Sequence, residues 1–213
     1  MKIAVIGASG KAGQEIVKEA VARGHEVTAI VRDASKVQDS SIQVIQKDVF
    51  QLQAEDVKGF DAVVNAFGAP GGQEHLHIEA GQALIKALKG APSTRLIVVG
   101  GAGSLFVDPA LTTRLYDTPE FPAIYLATAR SQGQNLADLQ QSEGVQWTFV
   151  SPSAFFDPAG NRTGKYTAGQ DQLLVNSEGN SYISYADYAI AIVDELEQPK
   201  HQNRRFTVVG EAK

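Results

Sequence analysis

Lys2-Ile3-Ala4-Val5-Ile6-Gly7-Ala8-Ser9-Gly10-Lys11-Ala12-Gly13 decides the fold. The first five residues read as a short buried strand. Glycines follow at 7, 10 and 13. From Lys11 to Arg23 the apolar residues Ala12, Ile16, Val17, Ala20 and Val21 then recur at helical spacing. Glycines spaced this way carry meaning only between a strand and a helix, and that is where they stand. Gly7 lets the chain turn sharply off the strand. Gly10, without a Cβ, lets backbone approach a diphosphate, and Gly13 lets the helix pack close to the sheet. The helix start, around Ser9, Lys11 and Ala12, then offers unpaired N–H groups and the positive end of its dipole to phosphate oxygens. The turn therefore reads as a dinucleotide site. A P-loop for nucleoside triphosphates is disfavoured, because Lys11 is followed by Ala12 and not by Ser or Thr.

Outward from this turn, short β-branched runs alternate with helix-period stretches. Strands are expected over Lys2–Ile6, Glu26–Val31, Ile42–Gln46, Asp61–Asn65, Arg95–Val99 and Gln146–Val150. Helices are expected over Lys11–Arg23, Glu74–Lys89 and Ala123–Ser142. Gly100–Pro122 is less regular. Beyond Ser151 the rhythm loosens into a Gly-, Asn- and Thr-rich stretch at 160–179, then a helix over Ser184–Glu197 and a last strand over Arg205–Val209. The expectation is a single α/β domain over 1–213. It would be a doubly wound, Rossmann-type parallel sheet with helices on both faces, the core in 1–150 and a small irregular substrate-side region in 151–213.

The carboxyl ends of the strands are where such sheets bind ligands. The second strand ends in Arg32, with Lys36 shortly after. A guanidinium there favours the 2′-phosphate of NADPH, although the adjacent Asp33 could serve a ribose instead and leave NADH as the partner. Asp48 and Val49 follow the third strand and are placed beside the adenine. Asn65, Ala66, Phe67 and Gly68 close the fourth, Gly101 belongs to the glycine-rich turn after the fifth, and Ser151 and Pro152 end the sixth. Ser104 is either the hydroxyl beside the nicotinamide or a turn residue.

Of the 213 residues, 43% are hydrophobic and 20% charged, which is ordinary for a soluble domain. The net charge of −5 argues against a nucleic-acid partner. With no cysteine, disulfides, thiolate metal sites and cysteine nucleophiles are excluded. The run Ile3–Ile6 is too short for a signal peptide or a membrane span. A cytoplasmic protein with no membrane partner, monomeric or homodimeric, is expected. His75 and His77 do not share a helical face and read as surface rather than as metal ligands, so no metal is expected. Ser184-Tyr185-Ala186-Asp187 reads as a capping box, which accounts for Asp187. Arg114, Tyr116 and Tyr125 read as a lid or as plain surface, and Phe155-Phe156 as core in preference to a pocket wall.

Gly7–Gly13, Val31-Arg32, Asn65–Gly68 and Val98–Ser104 resemble the atypical short-chain dehydrogenase/reductases with NAD(P)H-binding domains. Arg162–Tyr166, Gly179–Ile183 and Asp187-Tyr188-Ala189 resemble the tail of the bacterial NADH-flavin reductases, which are similar to biliverdin-IXβ/flavin reductase and to NmrA-like regulators. The resemblance implies an NAD(P)H-dependent reductase whose small-molecule acceptor is a flat ring such as FMN, FAD or a quinone. A redox-sensing, NmrA-like dinucleotide binder without catalysis is the alternative. One departure matters. The superfamily pairs a Tyr with a Lys four residues later, whereas Tyr125 is followed by Ala129 and Arg130. That puts carbonyl and sugar-nucleotide chemistry in doubt. It leaves hydride transfer between stacked rings available, since the cofactor carries the hard chemistry, with Tyr125 and Ser104 as candidate catalytic hydroxyls.

Overall fold

The computed structural model describes residues 1–212. Its central strands are β1 (Lys2–Ile6), β2 (Glu26–Val31), β3 (Gln43–Gln46), β4 (Ala62–Asn65), β5 (Arg95–Val99) and β6 (Trp147–Ser151). Short β7 (Phe155–Asp157), β8 (Thr167–Gly169) and β9 (Tyr182–Ser184) follow, then β10 (Arg204–Val209). The helices are α1 (Lys11–Ala22), α2 (Ala54–Val57), α3 (Leu76–Lys89), α4 (Ala123–Gln141) and α5 (Tyr185–Glu197).

Eight strands make one sheet in the order β3-β2-β1-β4-β5-β6-β10-β8. Every pairing in it is parallel except that of β10 with the edge strand β8. This is the Rossmann-type doubly wound sheet expected from the strand–helix rhythm. The chain moves outward from β1 to β3, then returns to start β4 on the other side of β1. That reversal opens a crevice at the carboxyl ends of β1 and β4.

Side chains alternate across the sheet and separate two cores. Ile3, Val5, Ala29 and Val64 face α1 and α5, where Ile16, Ala20, Tyr188 and Ile192 cover them. Ala4, Ile6, Ile30 and Val63 face α3 and α4, covered by Leu84, Leu88, Leu136 and Leu139. Burial on both faces explains why the strands read as unbroken apolar runs rather than as alternating ones.

The last strand expected over Arg205–Val209 is present as β10, and with the short β8 it extends the main sheet. The region expected to be irregular also holds β7, which pairs in parallel with β9 in a separate two-stranded sheet beside the crevice. Asp187 also differs from expectation. Ser184 Oγ accepts from the Asp187 amide at 3.0 Å, which is half of a capping box. The Asp187 carboxylate turns instead to the 163–164 loop, accepting from the Thr163 and Gly164 amides, each at 2.9 Å, and from the Thr163 hydroxyl at 2.6 Å.

Candidate functional site

A cleft of about 1190 Å³ runs along the carboxyl edge of the sheet, across the crevice between β1 and β4. Single small-molecule sites typically occupy roughly 300–1,000 Å³, so this cleft has room for a dinucleotide and a second ring.

Its middle is the turn from β1 into α1. Gly7 has a φ of +71°, and a Cβ there would lie 2.5 Å from the Ala66 carbonyl oxygen, at the end of β4. A Cβ on Gly13 would lie 2.2 Å from the Gly7 carbonyl oxygen, so only glycine lets α1 seat this closely. Gly13 thus shapes the cleft from behind, while Gly7, Ser9, Gly10, Lys11 and Ala12 line it. Gly10 precedes the helix with ordinary extended backbone; it has no side chain to cap α1, and the first turn holds no acidic residue. The leading N–H groups of a 12-residue helix therefore open on the cleft uncompensated. This cradle fits a diphosphate.

Toward β2 the cleft is lined by Val31, Arg32, Asp33, Lys36, Lys47, Asp48 and Val49. Asp33 accepts from the Ser35 hydroxyl at 2.6 Å and from its amide at 3.0 Å. Those two bonds, hydroxyl first, hold its carboxyl below the usual carboxylate range. Asp48 accepts from the Phe50 amide at 3.2 Å, starting a turn of 3-10 helix that places Val49. Lys47 is committed to Asp56 at 2.7 Å. Among the described residues, Arg32 and Lys36 have no carboxylate within ion-pair distance, which leaves two cations at this end.

Ala66, Phe67 and Gly68 form another wall, with Phe67 edge-on both to Phe50, next to Val49, and to His77. His77, expected on the surface, instead lines the cleft and accepts from the Ala69 amide at 3.4 Å. Burial pushes its imidazole below the usual value, so it stays neutral at neutral pH. His75 remains on the surface beside Glu79, and no cluster of metal-ligating side chains occurs among the described residues. Gly101 and Pro152 line the floor. Phe155 and Phe156, expected as core, line the far wall, and Phe155 is 59% exposed.

Besides Gly13, three expected site residues lie outside the cleft lining. Ser104 is buried, and its hydroxyl accepts from Arg205 Nη1 at 2.8 Å; the same guanidinium grips Asp171. It is placed as a structural acceptor for a buried cation. Ser104→Ala is accordingly expected to cost about 1–3 kcal/mol by stranding part of that guanidinium. A thermal melt should show the loss while calorimetry shows unchanged dinucleotide affinity. Asn65 shapes the wall indirectly, accepting from the Phe67 amide at 3.1 Å. Ser151 is fully buried with its Oγ unpartnered. Tyr125 does line the cleft, but at its rim and 61% exposed. Arg114 and Tyr116 bond to each other, away from the lining.

The structure also brings in residues that sequence reasoning missed. Thr128, Ala129 and Gln132 share one face of α4 with the expected Tyr125, and all line the cleft. Their spacing was visible in the sequence; the direction of that face was not. Tyr185, at the start of α5, joins them.

With this geometry, the match of residues 7–199 to a family described as NAD(P)H-binding is decisive. The chain belongs to that family. Within the NAD(P)H-binding family, it is 70% identical over 212 residues to the uncharacterised protein YwnB of Bacillus subtilis (strain 168), across the whole of both chains. It is similar to SP1627 of Streptococcus pneumoniae TIGR4, named a candidate NADH-flavin reductase. Their identity is 46% and the TM-score 0.94, with 99% of this chain and 100% of that one covered. It is also 26% identical to an NAD(P)H azoreductase of Xenophilus azovorans, over 98% of this chain and 68% of that protein. No helix among the described residues is long and apolar enough to cross a membrane.

Proposed function

We propose that this family member is an NADPH-dependent reductase of a flat acceptor, a flavin or a quinone. The observation that carries the reading is the cleft's polarity. An amide cradle sits at its middle, two uncommitted cations at one end and an aromatic wall at the other, in a volume larger than one ligand needs. The names borne by SP1627 and the azoreductase support the same reading.

When bound, the reduced nicotinamide supplies two electrons and one proton together to the acceptor. The protein's part is alignment. The start of α1 holds the diphosphate, Arg32 and Lys36 meet the 2′-phosphate, and Phe155, Phe156 and Phe121 keep water from the rings. The absence of a Tyr–Lys pair on α4 is no obstacle, because ring-to-ring transfer needs no polarised carbonyl held by the protein.

Loss of nicotinamide absorbance with NADPH and FMN, FAD or a quinone tests the proposal, and turnover with at least one acceptor is expected. Tight dinucleotide binding with no turnover by any of them would replace it with a sensor.

Cofactor choice has its own test. Arg32→Asp should weaken NADPH on the order of 10–100-fold, since a charge-assisted phosphate contact becomes a repulsion, while NADH weakens less than about threefold. Equal losses, measured by calorimetry, would remove Arg32 from the phosphate.

A further inference from the structure

Hydride addition to a quinone yields the hydroquinone monoanion, which must gain a proton. None of the groups assigned above delivers one to the aromatic end of the cleft. Tyr185 lies there. Its ring packs on Phe156 with centroids 4.0 Å apart, and Phe156 also packs on Tyr188 at 4.7 Å. Tyr188, one turn along α5, donates its hydroxyl to the Val150 carbonyl at 2.7 Å, next to the carboxyl end of β6. Burial, with a smaller electrostatic contribution from the nearby Tyr185, raises the Tyr188 pKa. This packing fixes the Tyr185 phenol at the same edge of the sheet.

The two phenols differ in what they bond. Tyr188 is fully committed, whereas no described residue lies within hydrogen-bonding distance of Tyr185 Oη. Nor is Oη sealed away from solvent. Among the described residues, the only fully buried side-chain atoms without a partner are Asn135 Nδ2 and Ser151 Oγ. A half-buried phenol with no protein partner, in the wall of a cleft, is available to a ligand.

Resting on the reductase reading, we propose that Tyr185 donates the proton that completes acceptor reduction. The nicotinamide is oxidised and the quinone reduced to its monoanion. The Tyr185 O–H bond breaks as the hydroquinone O–H bond forms, and the resulting phenolate recovers a proton from water at the cleft mouth. Burial raises the Tyr185 pKa above its ordinary value of 10.0, so the proton is in place throughout the neutral range.

Tyr185→Phe keeps the ring and removes only the hydroxyl. Its quinone kcat should fall on the order of a hundredfold, with the calorimetric NADPH affinity and the melting temperature unchanged. The lost rate should partly return as the concentration of an acidic buffer such as imidazolium is raised, a response the wild-type protein should lack. If wild-type protein turns over a quinone but the variant keeps its kcat within about threefold, or loses kcat with no response to buffer, the proton-donor role is wrong. Wild-type protein that reduces no acceptor removes the reductase reading itself, and this inference with it.

Discussion

Gly10→Val is expected to abolish measurable pyridine-nucleotide binding while leaving the protein folded. Gly10 lines the cleft at the mouth of the α1 cradle, with φ −77° and ψ 163°, a conformation any residue adopts. The nearest atom to an added Cβ is the Gly7 carbonyl oxygen at 3.2 Å, a contact relieved by a shift of a few tenths of an ångström. The branched side chain then occupies the space a diphosphate needs and screens the leading amides of α1. A loss of at least about 100-fold in NADPH affinity follows, equivalent to roughly 2.7 kcal/mol, beside a stability change of about 1 kcal/mol or less. Gly13→Val is the contrasting variant. Its Cβ would stand 2.2 Å from the Gly7 carbonyl oxygen and 2.9 Å from Ala8 Cα, both backbone, and neither can yield without moving α1 off the sheet. That variant should fail to fold. Calorimetry and circular dichroism on the pair separate a glycine kept for ligand approach from one kept for packing. A Gly10→Val protein that binds NADPH like wild type would refute the cradle.

Asp187→Ala should bring the largest loss of stability outside the glycines. Asp187 is completely buried, and its carboxylate holds two backbone amides and a hydroxyl of the 163–164 turn. Gly164 in that turn has a φ of +81°, a backbone that favours glycine, and its amide and that of Thr163 both depend on the Asp187 carboxylate. The neighbouring Arg162 meanwhile reaches Glu19 of α1 at 3.1 Å, tying the same loop to the helix beside α5. Removing the carboxylate strands several donors. The expected cost is about 3 kcal/mol, or a fall of roughly 6–12 °C in Tm for a chain of this size. Faster hydrogen exchange at the Thr163 and Gly164 amides should accompany it. Asp187→Asn keeps one acceptor and should fall in between. A Tm within about 2 °C of wild type for Asp187→Ala would mean that the loop is held elsewhere.

The parts of the fold that local chemistry determines were legible in the sequence. Ile3–Ile6 could only be buried on both faces. The glycines at 7 and 13 answer to one carbonyl each, close along the chain or at a neighbouring strand end, and the reading of the β1–α1 turn follows from them. Arg32 stood at a strand end whose role depends on topology alone. What escaped detection depends on distant partners. Ser104 sits in a glycine-rich turn that could face the cleft or the far edge of the sheet, and Arg205, 101 residues away, decides which. Phe155 and Phe156 form β7 only because Tyr182 and Ile183 of β9 lie alongside. The four-residue α2 is too short for any period to show. Tyr185 was visible as the first residue of a capped helix, but the side of the molecule it faces is set by packing on Phe156.

The most direct test of the account follows the amide resonances of nitrogen-15-labelled protein during titration with NADPH. The amides of Ser9, Gly10, Lys11 and Ala12 should show the largest shifts, moving together with those beside Arg32. Saturable binding that leaves these four amides unmoved, with the large shifts elsewhere, would contradict it.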